Sequence, residues 1–122
     1  MYSITKTFKF EAAHQLLDWP EGHQCSRLHG HSYELTVELI GSSLSITDKP
    51  GVIEDYGDIS AYVKKHIISK WDHRNLNEVL GMRNTTAENL AMIAFNILAK
   101  HLVQLNRVTI NETSSSSTSY YR

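Results

Sequence analysis

Apolar and polar residues alternate along two segments in the first third of the chain, and this period of two predicts β-strands. The first segment covers residues 2–13 and the second covers residues 32–40. The expected inward positions are Phe8, Phe10, Ala12, Tyr33, Leu35, Val37 and Leu39. Residues 16–28 lie between the two segments and contain Pro20 and Gly22, which predicts a loop.

Two later segments carry apolar residues at the three- and four-residue spacing of amphipathic helices. The first repeat runs from Ile59 to Ile67, with Asp58 as its predicted N-cap. The second follows residues 85–88, whose order Thr-Thr-Ala-Glu matches a capping box. Its expected buried positions are Leu90, Ile93, Ala94, Ile97, Leu98 and Leu102. Between the two helices we expect residues 72–84 to be irregular.

The last part of the chain predicts two more strands. Residues 107–112 form one, with Val108 and Ile110 inward. The serine-rich run 114–117 is typical of a flexible linker, but it leads into Tyr120 and Tyr121, and threonine and tyrosine favour strands. The predicted order is therefore β-β-α-α-β-β, an α+β fold with a four-stranded antiparallel sheet and two helices on one face.

Composition narrows the class of protein. A chain of 122 residues with 41% hydrophobic and 20% charged residues predicts one globular domain over residues 1–122. The net charge of −1 gives no basic surface for nucleic acid, so we expect no nucleic-acid partner. A single cysteine, no signal-peptide pattern and no apolar run of membrane-spanning length predict a cytoplasmic protein with no membrane partner.

Three histidines are candidates for a metal site. His29 and His31 are two residues apart, so on a strand their side chains share one face. His14 has the same parity as the inward residues of the first strand, and antiparallel pairing would bring it to the other two. Because catalytic zinc usually takes three protein ligands, we favour a Zn²⁺ site over three half-buried polar residues. His66 and His101 lie on or beside helical apolar stripes and are expected to be structural.

Cys25 is the only cysteine and lies four residues before His29. Three interpretations are open: a small buried hydrophobe, a fourth zinc ligand, or a catalytic base whose pKa is lowered by a nearby cation. Its polar loop argues against burial, but spacing does not decide between ligand and base.

Other polar positions can be interpreted either as functional residues or as ordinary structural or solvent-exposed ones. Asp72 and His73 match an acid–imidazole relay but alone are better explained as an ordinary loop pair. Glu112, at a strand end, is either solvated or an anchor that accepts two parallel hydrogen bonds from a ligand. Thr86 and Glu88 are explained by helix capping.

Five segments together resemble the 6-pyruvoyl-tetrahydropterin synthase family, and most closely its bacterial branch, the 6-carboxy-5,6,7,8-tetrahydropterin synthases. The segments are residues 10–14 (FEAAH), 25–33 (CSRLHGHSY), 71–73 (WDH), 86–90 (TAENL) and 112–113 (ET). They occur in the family's order and extend over nearly the whole chain. The three residues between Cys25 and His29 resemble the bacterial branch, since animal pyruvoyl-forming members usually have a longer insert there.

The resemblance implies a tunnelling fold (T-fold) in a homohexamer, a dimer of trimers with active sites at subunit interfaces. It implies that His14, His29 and His31 bind zinc and that Cys25 is the catalytic base. Asp72 and His73 then form a charge relay, with Glu112 as pterin anchor and relay member. Thr86 and Glu88 match positions that line the pterin pocket.

The implied reaction converts 7,8-dihydroneopterin triphosphate to 6-carboxytetrahydropterin, acetaldehyde and triphosphate in queuosine biosynthesis. Two alternatives are a synthase that stops at triphosphate elimination, giving 6-pyruvoyl-tetrahydropterin, and a zinc-containing pterin-binding module without turnover. Arg74 departs from the branch, whose members often have a histidine there. Arg27 and Arg74 are candidate cations for the triphosphate.

Overall fold

The computed structural model describes residues 1–122, and its central feature is a long antiparallel hairpin. Strand β1 (Tyr2–His14) pairs with β2 (His29–Gly41) along their full length, with His14 directly opposite His29. The predicted inward residues of both strands are buried, which confirms the parity read from the sequence. Both strands extend further toward the connecting loop than predicted, so all three candidate histidines lie within the ladder.

Two further strands extend the sheet on the β2 side. These are β4 (Leu105–Thr113) and β5 (Ser116–Tyr121), and β5 confirms the strand expected after the serine-rich run. The prediction of four strands is wrong by one. A two-residue strand β3 (Arg74–Asn75) pairs parallel with Ala12 and Ala13, so the sheet has five strands in the order β3-β1-β2-β4-β5. A strand this short carries no periodic pattern for the sequence to reveal.

The first predicted helix begins earlier than expected. Helix α1 (Tyr56–Val63) continues through a wider π-helical turn (Lys64–Ile68) into α2 (Ser69–Trp71). Its N-cap is Asp55, whose carboxylate accepts a hydrogen bond from the Gly57 N–H at 2.6 Å. Asp58 is therefore not the cap; it lies inside the first turn and pairs with Lys49 at 3.0 Å.

A short helix occupies part of the segment expected to be irregular. Helix α3 (Leu76–Leu80) is capped by the Asn75 side chain, which accepts from the Asn77 N–H at 3.0 Å. It ends at Gly81, whose φ of 60° is the left-handed conformation that glycine adopts most readily.

Helix α4 (Ala87–Leu98) begins one residue after the position that the capping box predicted. Thr86 is the N-cap, and its side chain accepts a hydrogen bond from the Asn89 N–H at 3.2 Å. Thr85, the N-cap that the capping box predicted, is therefore not the cap. Ala91 and Phe95 fill the buried face together with Leu90, Ala94 and Leu98, whereas Ile93 and Ile97 are only partly buried. None of the helices is long and apolar enough to cross a membrane.

The core lies between the helices and the inward face of the sheet. Phe10 and Tyr33 stack with ring centroids 4.9 Å apart, and Trp71 meets Phe10 edge-on at 5.9 Å. All three side chains are almost fully buried. This packing fixes the ends of β1 and β2, from which the three candidate histidines project.

Candidate metal centre and its cavity

His14, His29 and His31 converge at one end of the sheet. One ring nitrogen of each lies within 4.8 Å of those of the other two. His14 is 1% exposed, and the other two are half-buried. The arrangement follows from strand parity and from the register that places His14 opposite His29. The cluster therefore has the donors and the spacing to hold one metal ion.

Hydrogen bonds fix the tautomers of two of these histidines. Nδ1 of His14 lies 2.8 Å from the Thr85 carbonyl oxygen, and Nδ1 of His29 lies 2.7 Å from the Arg27 carbonyl oxygen. Because a carbonyl oxygen can only accept, both Nδ1 atoms donate, and in the neutral rings Nε2 keeps its lone pair. Metal-bound histidines are typically held by such a bond from the other ring nitrogen.

The Nε2 atom of His14 is buried and has no hydrogen-bond partner in the chain. A buried polar atom without a partner destabilises the fold, and native structures contain few of them. A metal ion bound to this lone pair would satisfy it. Zinc, which imidazole nitrogens bind readily, fits this donor set.

The protonation of the cluster also suits a metal. The pKa of His14 is lowered to about 4, chiefly by burial; the hydrogen bond to the Thr85 carbonyl raises it, and the neighbouring His29 and His31 lower it by smaller amounts. Burial, followed by the effect of His29, also lowers the pKa of His31. Metal ligands must be deprotonated, and the lowered pKa values of His14 and His31 favour the neutral rings that can bind without losing a proton.

Glu112 comes to this cluster from β4. Its Oε2 atom lies 3.3 Å from Nε2 of His14 and 3.6 Å from Nε2 of His31. A carboxylate oxygen can only accept, so it does not satisfy the lone pair on Nε2 of the neutral His14 ring. The side chain is 30% exposed, so it is half-buried rather than fully solvated. Burial raises the pKa of Glu112, His29 lowers it and Glu88 raises it again.

A cavity of about 200 Å³ opens beside the histidines. It brings together every candidate metal, catalytic and pterin-binding residue except Asp72 and His73; the two candidate cations for the triphosphate, Arg27 and Arg74, do not line it. Its lining is His14, His29, His31, Cys25, Thr86, Glu88 and Glu112, with Leu16, Trp19 and Ala87. Cys25 is half-buried, and the Leu16 N–H donates to its carbonyl at 2.8 Å, which ties the cysteine loop to the end of β1.

Asp72 and His73 lie outside this cavity. His73 lines a larger groove of about 520 Å³, at the same end of the sheet, whose strand residues include the outward-facing Glu11 and Ser32. Nδ1 of His73 is 3.0 Å from Oδ1 of Asp72, which also accepts from the Glu11 N–H at 2.9 Å. This second bond is the main reason that the pKa of Asp72 is lowered.

Three residues at the site were not predicted as site residues from the sequence. Thr85 orients His14 from a position 71 residues away in the chain, and Trp19 forms part of the cavity wall. Tyr33 was expected only as a core residue, but its buried hydroxyl has no partner and its ring lies 5.3 Å from that of His31. Burial, and then the charge of Glu112, raise the pKa of Tyr33 far above its ordinary value. The contact of Thr85 with His14 joins distant segments, so no local sequence pattern predicts it.

Comparison with known proteins identifies the family. Residues 3–122 match the family model described as 6-pyruvoyl tetrahydropterin synthase. A protein of Haemophilus influenzae named 6-carboxy-5,6,7,8-tetrahydropterin synthase is 34% identical, with 98% of this chain and 99% of that protein aligned. A Synechocystis protein of the same name is 36% identical over 99% of this chain and 94% of its own.

The fold agrees with a solved structure from the same family. The structure of Caenorhabditis elegans 6-pyruvoyl tetrahydropterin synthase superposes with a TM-score of 0.85 and 26% identity, covering 99% of this chain and 95% of that one. The α+β tunnelling fold expected from the resemblance is thereby confirmed, with the fifth strand as its correction. This chain belongs to the 6-pyruvoyl tetrahydropterin synthase family.

Proposed function

We propose that this protein is a zinc-dependent 6-carboxy-5,6,7,8-tetrahydropterin synthase, a lyase of queuosine and 7-deazaguanine biosynthesis. It converts 7,8-dihydroneopterin triphosphate to 6-carboxytetrahydropterin, acetaldehyde and triphosphate. The observation that carries the proposal is the cavity in which three histidines, a cysteine and a half-buried carboxylate meet. Two relatives with that name, matched over nearly their whole lengths, support this activity.

His14, His29 and His31 would hold the zinc ion through one ring nitrogen each. Three protein ligands leave a position for substrate, as in other catalytic zinc sites. Zinc bound there would act as a Lewis acid on the oxygens of the substrate side chain and so acidify the neighbouring C–H group. Thr85 and the Arg27 carbonyl keep the rings of His14 and His29 in the orientation that this binding needs.

Cys25 is proposed as the base that removes the acidified proton. It lines the same cavity as the histidines, but the close set of ligand atoms contains the three histidines and not Cys25. This arrangement supports a base rather than a fourth ligand. As a thiolate, Cys25 would accept the C–H proton and become a neutral thiol. A proton relay would then have to remove this proton to restore the thiolate.

Glu112 is proposed as the pterin anchor. The 2-amino-4-oxo edge of a pterin presents two adjacent N–H donors, and a carboxylate can accept both in parallel. Glu112 is half-buried in the cavity wall, where such bonds are stronger than in water. Thr86 and Glu88 line the same wall and would contact the ring.

Asp72 and His73 are proposed to act in the active site of a neighbouring copy. In one chain both lie outside the cavity; His73 lines the groove, and its Nδ1 atom is already 3.0 Å from Oδ1 of Asp72. The cavity of about 200 Å³ is also smaller than the ~300–1,000 Å³ typical of small-molecule sites, which is consistent with completion by a second subunit.

The homohexamer, a dimer of trimers, is proposed from the family resemblance, and the open edges of the sheet support association of copies. Strand β5 is one edge of the sheet, and β3 pairs with only two residues of β1 at the other edge. Unpaired strand edges are usually covered in native proteins. Pairing between copies would cover them and bring Asp72 and His73 to the neighbouring cavity.

A second candidate function is 6-pyruvoyl-tetrahydropterin synthesis, which keeps the site but stops at triphosphate elimination. The similarity to the C. elegans structure favours this candidate. The third, a zinc-containing pterin-binding module without turnover, is disfavoured by the presence together of Cys25, Asp72 and His73.

Product analysis with 7,8-dihydroneopterin triphosphate tests the proposed function. We expect one acetaldehyde for each triphosphate released, because only the carboxy-forming reaction breaks the side-chain carbon–carbon bond. Triphosphate without acetaldehyde would establish the pyruvoyl-forming alternative. Bound pterin with neither product would establish the binding module.

A further inference from the structure

We infer that Trp19 is an aromatic platform that stacks on the face of the bound pterin ring. This inference rests on the proposed function and adds a specificity-determining residue to it. Apart from the three histidines, Trp19 is the only aromatic residue that lines the cavity. The remaining lining is small, aliphatic or acidic, so it offers no other broad apolar plane to a flat ligand.

The exposure of Trp19 supports this role. The indole is 40% exposed, whereas Trp71, the other tryptophan, is 1% exposed in the core. A ring of this size stabilises a protein chiefly through the area that it buries. The only aromatic contact of Trp19 within the chain is His23, which meets it edge-on at 4.8 Å. A planar ligand in the cavity would bury ring surface that the fold leaves uncovered.

The loop that carries Trp19 is fixed in place before any ligand binds. The Asp18 carboxylate accepts from Nε of Arg83 at 2.9 Å and from Nδ2 of Asn84 at 3.0 Å. The Leu17 N–H donates to the Arg83 carbonyl at 3.2 Å, and the Trp19 N–H donates to the Leu16 carbonyl at the same distance. Because these bonds hold the backbone that leads into Trp19, little ordering of this part of the loop is needed for stacking.

Stacking by Trp19 would complement the anchoring by Glu112. A carboxylate recognises the edge of the ring through directional hydrogen bonds, but it does not distinguish a flat ring from other molecules with two adjacent N–H donors. An indole recognises the flat face and is indifferent to the edge. The two residues line one cavity, and together they would select a planar heterocycle with that donor pair.

Calorimetric titration of the zinc-loaded protein with biopterin, a non-reactive pterin, tests this inference. We expect Trp19→Leu, which keeps apolar bulk but loses the aromatic face, to weaken binding about tenfold. Trp19→Phe keeps an aromatic face and should stay within about threefold of the unmodified protein. Leu17→Ala is the matched control, because Leu17 is an exposed apolar residue of the same loop that does not line the cavity, and it should leave affinity unchanged.

Acrylamide quenching of tryptophan fluorescence gives a second readout that needs no variant. Trp71 is already inaccessible, so the quenching reports Trp19, and bound biopterin should reduce it. Equal biopterin affinity in Trp19→Leu and the unmodified protein, or quenching that bound biopterin leaves unchanged, would overturn the inference. If the unmodified protein itself fails to bind biopterin, the proposed function fails and the inference fails with it.

Discussion

Replacement of Glu112 by glutamine separates a pterin anchor from an ordinary strand-end carboxylate. The substitution keeps the shape of the side chain but removes its charge and one of its two acceptor oxygens. In the structure the carboxylate is 30% exposed, with Oε2 3.3 Å from Nε2 of His14. It therefore lies at the cavity and beside the histidine cluster, where the substitution would alter the affinity for a bound ligand.

The expected loss follows from the bonds that glutamine cannot make. Hydrogen bonds to a charged group contribute roughly 1.5–3 kcal/mol each, and a buried donor left unpaired adds its own cost. Glutamine offers one acceptor and sets an N–H group against the second pterin donor. Loss of even one bond predicts a weakening of at least about tenfold, equivalent to roughly 1.4 kcal/mol.

Calorimetric titration with biopterin measures this loss, and zinc content and melting temperature are read on the same samples. We expect both of those to stay near the values of the unmodified protein. Glu34→Gln is the matched control, because Glu34 is a glutamate on β2 that does not line the cavity; its side chain is 46% exposed and its Oε1 atom lies 3.8 Å from Nζ of Lys9. Unchanged biopterin affinity in Glu112→Gln would refute the anchor, and loss of zinc would make Glu112 a metal ligand instead.

Three further predictions follow from the site and the fold. Cys25→Ala should keep zinc and fold but lose most turnover; loss of metal together with activity would place Cys25 among the ligands. Sedimentation should show a homo-oligomer, by family resemblance a hexamer, and a fully active monomer would exclude a shared site. Asn75→Ala should lower the free energy of unfolding by about 1 kcal/mol in urea titration, since it removes the cap of α3; unchanged stability would mean that this cap contributes nothing.

The parts of the fold that the sequence predicted are those governed by local periodicity. The inward faces of β1 and β2 follow from alternation alone, and parity also placed His14, His29 and His31 on one face. The buried positions Ile59, Val63 and Ile67 follow from helical spacing in the same way. Each pattern extends over several repeats, so it remains recognisable in the sequence even where one position departs from it.

The errors in the prediction concern single residues and short elements. Asp55 and Asp58 are both suitable caps, and the sequence does not show which of them precedes the first helical turn. Thr85 and Thr86 present the same ambiguity. In the structure Thr86 is the cap of α4, whereas the Thr85 carbonyl accepts a hydrogen bond from Nδ1 of His14. The strand β3 depends on β1, which is distant in the chain, so it has no local signal.

Zinc bound per chain, measured by elemental analysis of purified variants, tests the central claim that three histidines from paired strands form the metal site. We predict about one zinc per chain in the unmodified protein and a sharp loss in His29→Ala and His31→Ala. His66→Ala and His101→Ala are the matched controls, because these two rings stack on each other at 4.0 Å and are not among the three histidines of the cluster. Both controls should keep their zinc, whereas full zinc in His31→Ala would contradict the site.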